Sequence, residues 1–60
     1  MIKIVCKMGK VYDVKRIVSK MSEMPDSAQF NTEAYCDDGI YSIYRTPSGV
    51  LYARKNRVQP

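Results

Sequence analysis

Nucleophiles and carboxylates occur in this sequence, but none of them has the spacing of a catalytic group. The chain has no histidine, so a serine or cysteine nucleophile would need a lysine or a carboxylate as its base, and no serine lies in a recognisable nucleophile elbow. Asp37 and Asp38 are adjacent carboxylates, but the following Gly39 makes them typical of a turn. The glycines stand singly and indicate turns rather than a phosphate-binding loop. We therefore expect a protein that is not an enzyme.

The two cysteines, Cys6 and Cys36, both fall at apolar positions of strand-like patterns. Two sulfur ligands without histidine cannot complete a tetrahedral zinc site within one chain, and we predict no metal and no other cofactor. The start of the chain alternates charged and apolar residues, unlike a signal peptide. We therefore expect a cytoplasmic protein in which both cysteines are buried thiols rather than a disulfide.

Tyrosines and cations in the sequence could bind a partner protein, because Tyr and Arg are enriched at protein interfaces. Our first hypothesis is a small protein-binding accessory factor, an inhibitor or regulator that occupies a surface of a larger partner. We expect the partner to carry acidic patches, because the net charge of this chain is +4 and its sequence divides into basic, acidic and basic thirds. The residues predicted to bind are Tyr35, Tyr44, Tyr52, Arg54, Lys15, Arg16 and Lys20.

The alternative hypothesis is that the protein binds single-stranded nucleic acid without sequence specificity. Bases stack on aromatic rings while cations follow the phosphates. Glu33 weakens this alternative, because a carboxylate predicted beside Tyr44 would repel phosphate. Cross-strand tyrosines also stabilise sheets without any further role, and surface charges are commonly just solvated. The residues of this alternative are Tyr44, Tyr52, Arg54, Lys55 and Arg57.

The elements that would position these side chains are clearest in the second half of the chain. Asp38-Gly39 predicts a two-residue type I′ hairpin turn, and the segment 46–49 (Thr-Pro-Ser-Gly) predicts a second turn with a bulge. Pairing outward sets Cys36 opposite Tyr41 and, on the other hairpin, sets Tyr44 opposite Tyr52. Together the two turns predict a three-stranded meander.

The predicted meander has two different faces. One face is small and apolar and forms the predicted core: Ala34, Cys36, Tyr41, Ile43, Leu51 and Ala53. The opposite face is polar and aromatic, with two aliphatic ends: Glu33, Tyr35, Ser42, Tyr44, Tyr52, Arg54, Ile40 and Val50. A single helix covers only one face of a sheet, so we expect the second face to be exposed or covered by a partner.

The first half is predicted as a strand followed by an amphipathic helix. Residues 2–7 alternate like a strand. From Val14 to Met24 apolar residues recur at intervals of three and four, with Asp13 as N-cap and Pro25 as the stop. A competing interpretation is a hairpin folded at Gly9 with residues 11–18 as its second strand, because β-branched residues weaken helix propensity.

The length of the chain limits the size of its core and the depth of any cleft. A chain of 60 residues buries about 60% of its unfolded surface, which allows one thin core and no deep cleft. We predict a single α+β domain over 1–60, in the order strand, helix and three strands, with a small all-β barrel as the alternative. Oligomerisation compensates for a marginal core, so we expect a homodimer. No apolar segment approaches the roughly 20 residues that span a bilayer, so no membrane partner is expected.

Overall fold

The computed structural model describes residues 1–56, which form six strands in two sheets and contain no α-helix. The strands are β1 (Ile2–Val5), β2 (Val11–Val14), β3 (Arg16–Val18), β4 (Gln29–Cys36), β5 (Gly39–Arg45) and β6 (Leu51–Lys55). A short 3₁₀ turn, Met21–Glu23, lies between β3 and β4. No helix in this part of the chain is long and apolar enough to cross a membrane.

A two-stranded hairpin and a four-stranded sheet make up the fold. β1 pairs with β2 antiparallel, and the larger sheet has the order β3-β6-β5-β4, in which only the β3–β6 pair is parallel. Two backbone hydrogen bonds join the sheets: Lys15 N–H donates to the Leu51 carbonyl, and Lys7 N–H donates to the Tyr35 carbonyl, both at 2.8 Å. The hairpin is therefore fastened to the larger sheet on its β6 side and on its β4 side.

The prediction of a helix from Val14 to Met24, and with it the α+β class, is wrong. Ile17 and Met21, which the helical stripe would bury, are 38% and 46% exposed. β-Branched residues pack well on a pleated strand and lose side-chain freedom in a helix, which explains why this segment is extended. Of the alternatives, the all-β content is confirmed, but the strands form two sheets instead of the predicted barrel. The hairpin folded at Gly9 is also confirmed, although its predicted second strand is divided into β2 and β3.

The register between β5 and β6 is confirmed, whereas the register between β4 and β5 is wrong by two residues. Tyr44 pairs with Tyr52 as predicted, but Cys36 pairs with Gly39 instead of Tyr41. A type I′ turn needs two residues with positive φ, and of the turn residues only Gly39 has one, at 141°. The two-residue loop is therefore Asp37-Asp38. A slip of two leaves every side chain on its predicted face.

The predicted core face is confirmed, but a hairpin covers it instead of a helix. Ile4 and Val14 from the hairpin are buried against this face, and Tyr12 is half-buried there. Six residues of the larger sheet complete this core, all of them buried except the half-buried Leu51: Ala34, Cys36, Tyr41, Ile43, Leu51 and Ala53.

Candidate protein-binding surface

The face of the four-stranded sheet opposite the hairpin, here called the outer face, exposes three large apolar side chains. Tyr35 pairs with Ile40 across β4 and β5, and Phe30 pairs with Tyr44, so all four side chains share this face. The Phe30 ring meets the Tyr44 ring edge to face, with centroids 5.8 Å apart. Phe30 is 58% exposed, Tyr35 55% and Ile40 38%.

The β6 end of the outer face is covered by the chain itself. Tyr52 is 8% exposed and packs with Val18 and Met24 in a second, smaller apolar cluster. Tyr44 is half-buried against the same cluster. The expectation that this whole face is open or covered by a partner is therefore wrong at Tyr52, which the segment after β3 covers.

The 3₁₀ turn holds that covering segment in place. Glu23 Oε1 accepts hydrogen bonds from the backbone N–H groups of Ser19 and Lys20, both at 2.9 Å. These two bonds satisfy donors that the turn leaves unpaired, and they lower the pKa of the Glu23 carboxyl group. Met24 follows directly and is buried. The exposed area of the outer face is thus confined to β4 and β5 and to the centre of the sheet.

Polar side chains occupy the centre of the outer face. The Tyr35 hydroxyl donates to Glu33 Oε1 at 3.0 Å, and this hydrogen bond raises the pKa of Tyr35. Buried Ser42 donates from Oγ to Asn56 Oδ1 at 3.2 Å. Arg54, which pairs with Ser42 across the strands, is half-buried, and its Nε is buried without a hydrogen-bond partner among residues 1–56. An acceptor from outside this part of the chain would satisfy that donor.

The structure separates the other predicted cations into two groups. Lys15, Arg16 and Lys20 are exposed, and they lie on β3 and its flanks instead of on a helix. Arg16 pairs with Tyr52 at the β3 edge of the larger sheet. Lys55 lies 3.6 Å from Asp38 across the β4–β5 turn, away from the outer face. Arg57, from the nucleic-acid alternative, lies outside the described residues.

Sequence reasoning misses Phe30, although it is one of the most exposed rings of the outer face. Phe30 and Tyr35 are five positions apart, so simple alternation places them on opposite faces. A register shift between Phe30 and Thr32 adds a residue to β4 and brings both rings to one face, as β-bulges do. The only signal in the sequence is the aromatic residue itself.

An open groove of about 340 Å³ adjoins Phe30 at the start of β4. Its lining is mostly polar and includes the β5–β6 turn: Ser27, Gln29, Phe30, Asn31, Arg45, Thr46 and Pro47. Arg45 forms no ion pair within residues 1–56, where the pairs are Lys3 with Asp13 and Lys55 with Asp38. The surface beside Phe30 is therefore concave, unlike the surface of a flat sheet.

Comparison with protein-family models, curated proteins and solved structures finds no significant match to this chain. Within residues 1–56 no three Cys, Asp or Glu side chains are grouped to hold a metal ion. The chain's own surface is therefore the guide to its function.

Proposed function

We propose that this protein is a small non-enzymatic accessory factor that binds a larger protein through its outer face. The observation that carries the proposal is the exposure of Phe30, Tyr35 and Ile40 on one face of adjacent strands. Exposed apolar patches are typical of interaction sites. Aromatic side chains supply much of the binding energy at such sites, because they remove a large area from water for little loss of rotamer freedom.

Arg54 supports the proposal and suggests what the partner carries. Its guanidinium is half-buried in the centre of the outer face, with Nε unpaired among the described residues. A carboxylate or carbonyl of the partner would satisfy this donor, and charge-assisted hydrogen bonds are the stronger kind. The exposed Lys15, Arg16 and Lys20 would attract an acidic partner and raise the association rate more than the affinity.

The burial of Tyr52 favours protein binding over nucleic-acid binding. A base stacks on an open ring face, whereas Tyr52 is buried and Tyr44 is half-buried with Phe30 against it. The Glu33 carboxylate beside the exposed Tyr35 ring would also repel phosphates. These features lower the support for the alternative function without removing it, so the experiment below includes oligonucleotides.

A second copy of the chain is the competing occupant of the outer face. Small cores gain stability by association, and the β4 edge carries exposed Gln29, Phe30 and Asn31. We propose a two-fold dimer at this edge or face as the state of the free protein. Sedimentation velocity across micromolar to millimolar concentrations tests it, and a constant monomer mass would reject it.

The experiment that tests the proposed function is quantitative capture from lysate of the source cell, with titrations of single-stranded DNA and RNA in parallel. The test variant is Tyr35→Ala combined with Ile40→Ala. The matched control is Val5→Ala combined with Val11→Ala, an exposed cross-strand pair on the hairpin. We expect one protein to be retained by the wild type and by the control, and lost from the test variant.

Two outcomes would contradict the proposal. One is salt-sensitive oligonucleotide binding that falls in the test variant while no protein is retained. The other is equal retention of the partner by the test variant and the wild type. Circular dichroism of each variant shows whether the sheet is intact, because both test positions are exposed and their truncation removes little core packing.

A further inference from the structure

Cys6 and Cys36 lie opposite each other where the hairpin meets the larger sheet. Strand β1 contacts β4, and Cys6, the residue after β1, packs against the core cluster that contains Cys36 at the end of β4. The hydrogen bond from Lys7 N–H to the Tyr35 carbonyl, 2.8 Å long, sets the local register. The Cys6 side chain neighbours that of Cys36, so with Lys7 beside Tyr35 the two segments run antiparallel here and Cys6 lies beside Cys36.

The two side chains also share one environment. Cys36 is 8% exposed in the main core, and the half-buried Cys6 packs against that same cluster. Both are free thiols. Burial and then the neighbouring thiol of Cys6 raise the pKa of Cys36, which agrees with two sulfur atoms in close contact.

The backbone at this point suits a cross-strand disulfide. A hydrogen-bonded position of an antiparallel pair is followed by a non-hydrogen-bonded one, whose Cα atoms are about 4.5 Å apart. Disulfides join Cα atoms about 4.4–6.8 Å apart. Cysteines that lie side by side on antiparallel segments, as Cys6 and Cys36 do, are therefore within the range that a disulfide joins.

We propose that Cys6 and Cys36 form a reversible disulfide by exchange with a low-molecular-weight disulfide. The thiolate of Cys6, the more exposed of the two, attacks one sulfur of the small disulfide, whose S–S bond breaks and releases one small thiol. Cys36 then loses its proton and attacks the Cys6 sulfur of the mixed disulfide, releasing the second small thiol. The protein loses two electrons and two protons, and the small disulfide is reduced to two thiols.

This disulfide would hold the β1–β2 hairpin against the core. Ile4 and Val14 of the hairpin cover the core, and the bond would close the loop from residue 6 to residue 36. Closing a loop of that length constrains the unfolded chain. We expect the melting temperature to rise by about 10 °C or more on oxidation, whatever the outer face binds.

Equilibration with mixtures of oxidised and reduced glutathione tests the proposal. Samples are quenched in acid, then unfolded in urea near neutral pH with excess N-ethylmaleimide, and the mass of the intact protein is measured. We expect a monomer that is two hydrogens lighter and takes up no maleimide, and its yield at a given glutathione ratio should be at least about tenfold higher in buffer than in denaturing urea. Cys36→Ser should stop at a glutathione adduct on Cys6.

Three results would overturn the proposal. The wild type could still take up two maleimide groups under fully oxidising glutathione, or accumulate a stable glutathione adduct, or form the disulfide as readily in urea as in buffer. Each of these results is measured on the wild-type chain. The test therefore remains valid even if Cys36→Ser does not fold because position 36 is buried. Cys36→Ala is the second variant for the adduct measurement.

Discussion

Among residues 1–56, the shortest side-chain hydrogen bond joins Tyr41 to Asp38 beneath the β4–β5 turn. The Tyr41 hydroxyl donates to Asp38 Oδ2 at 2.7 Å, and Lys55 Nζ lies 3.6 Å from the same oxygen. The hydrogen bond, with burial and the Asp38 charge, raises the pKa of Tyr41 to about 12. The same hydrogen bond, with Lys55, lowers the pKa of Asp38. The neutral phenol and the ionised carboxylate are thus the states that the fold stabilises.

Alkaline pH should therefore destabilise the protein through Tyr41. The pKa of this phenol is higher in the folded chain, about 12, than the ordinary 10.0. Its stabilising contribution is therefore complete below pH 10 and is lost as pH rises towards 12. Urea unfolding across this window should show a falling free energy of unfolding in the wild type and a weaker fall in Tyr41→Phe. Identical pH dependence in the two proteins would contradict the assignment.

At the scale of elements, the β1–β2 hairpin depends on a backbone conformation at Gly9. Its φ is +85°, and a Cβ added there would meet no atom within 4 Å. Replacement therefore costs backbone strain alone. We expect Gly9→Ala to lower the free energy of unfolding by about 1–2 kcal/mol, and Gly9→Asn to cost less because Asn tolerates positive φ. Equal stability of Gly9→Ala and the wild type in urea would show that the turn is formed differently.

Some features of the strands could be predicted from the sequence and others could not. Both faces of the meander follow from alternation, because Ala34, Ile43 and Ala53 must share the apolar side whichever turn residues close the hairpin. Val14 and Val18 are buried as a helical stripe predicts, but they lie in two different apolar clusters. A spacing of four fits one helix face and also one face of an extended chain. In this segment the strand propensity of the β-branched residues predicts the observed structure, whereas the spacing of the apolar residues does not.

At the scale of the molecule, the candidate site is predicted in part. Tyr35 and Arg54 lie on the predicted face and are accessible at least in part. Tyr52 is buried because the chain after β3 folds back over it, a long-range contact that strand alternation does not encode. Phe30 joins the face through a register shift. The site that results has Phe30 with Tyr44 at one end and Tyr35 with Ile40 at the other, and polar side chains that include Glu33 and Arg54 lie between them.

The two faces of the four-stranded sheet are covered by different parts of the chain. The hairpin covers the apolar part of one face with Ile4 and Val14, and the segment after β3 covers only the β6 end of the other. The uncovered remainder carries Phe30, Tyr35 and Ile40. Because these apolar side chains remain exposed in the folded chain, we propose that a partner protein covers the outer face.

The most direct test of that claim is an NMR titration of ¹⁵N-labelled protein with the purified partner recovered by capture. We expect shift changes and line broadening to concentrate at Phe30, Tyr35 and Ile40 and at the Arg54 side-chain Nε–H, while Val5 on the hairpin stays unchanged. Changes confined to the hairpin, with the outer face unaffected at saturation, would contradict it.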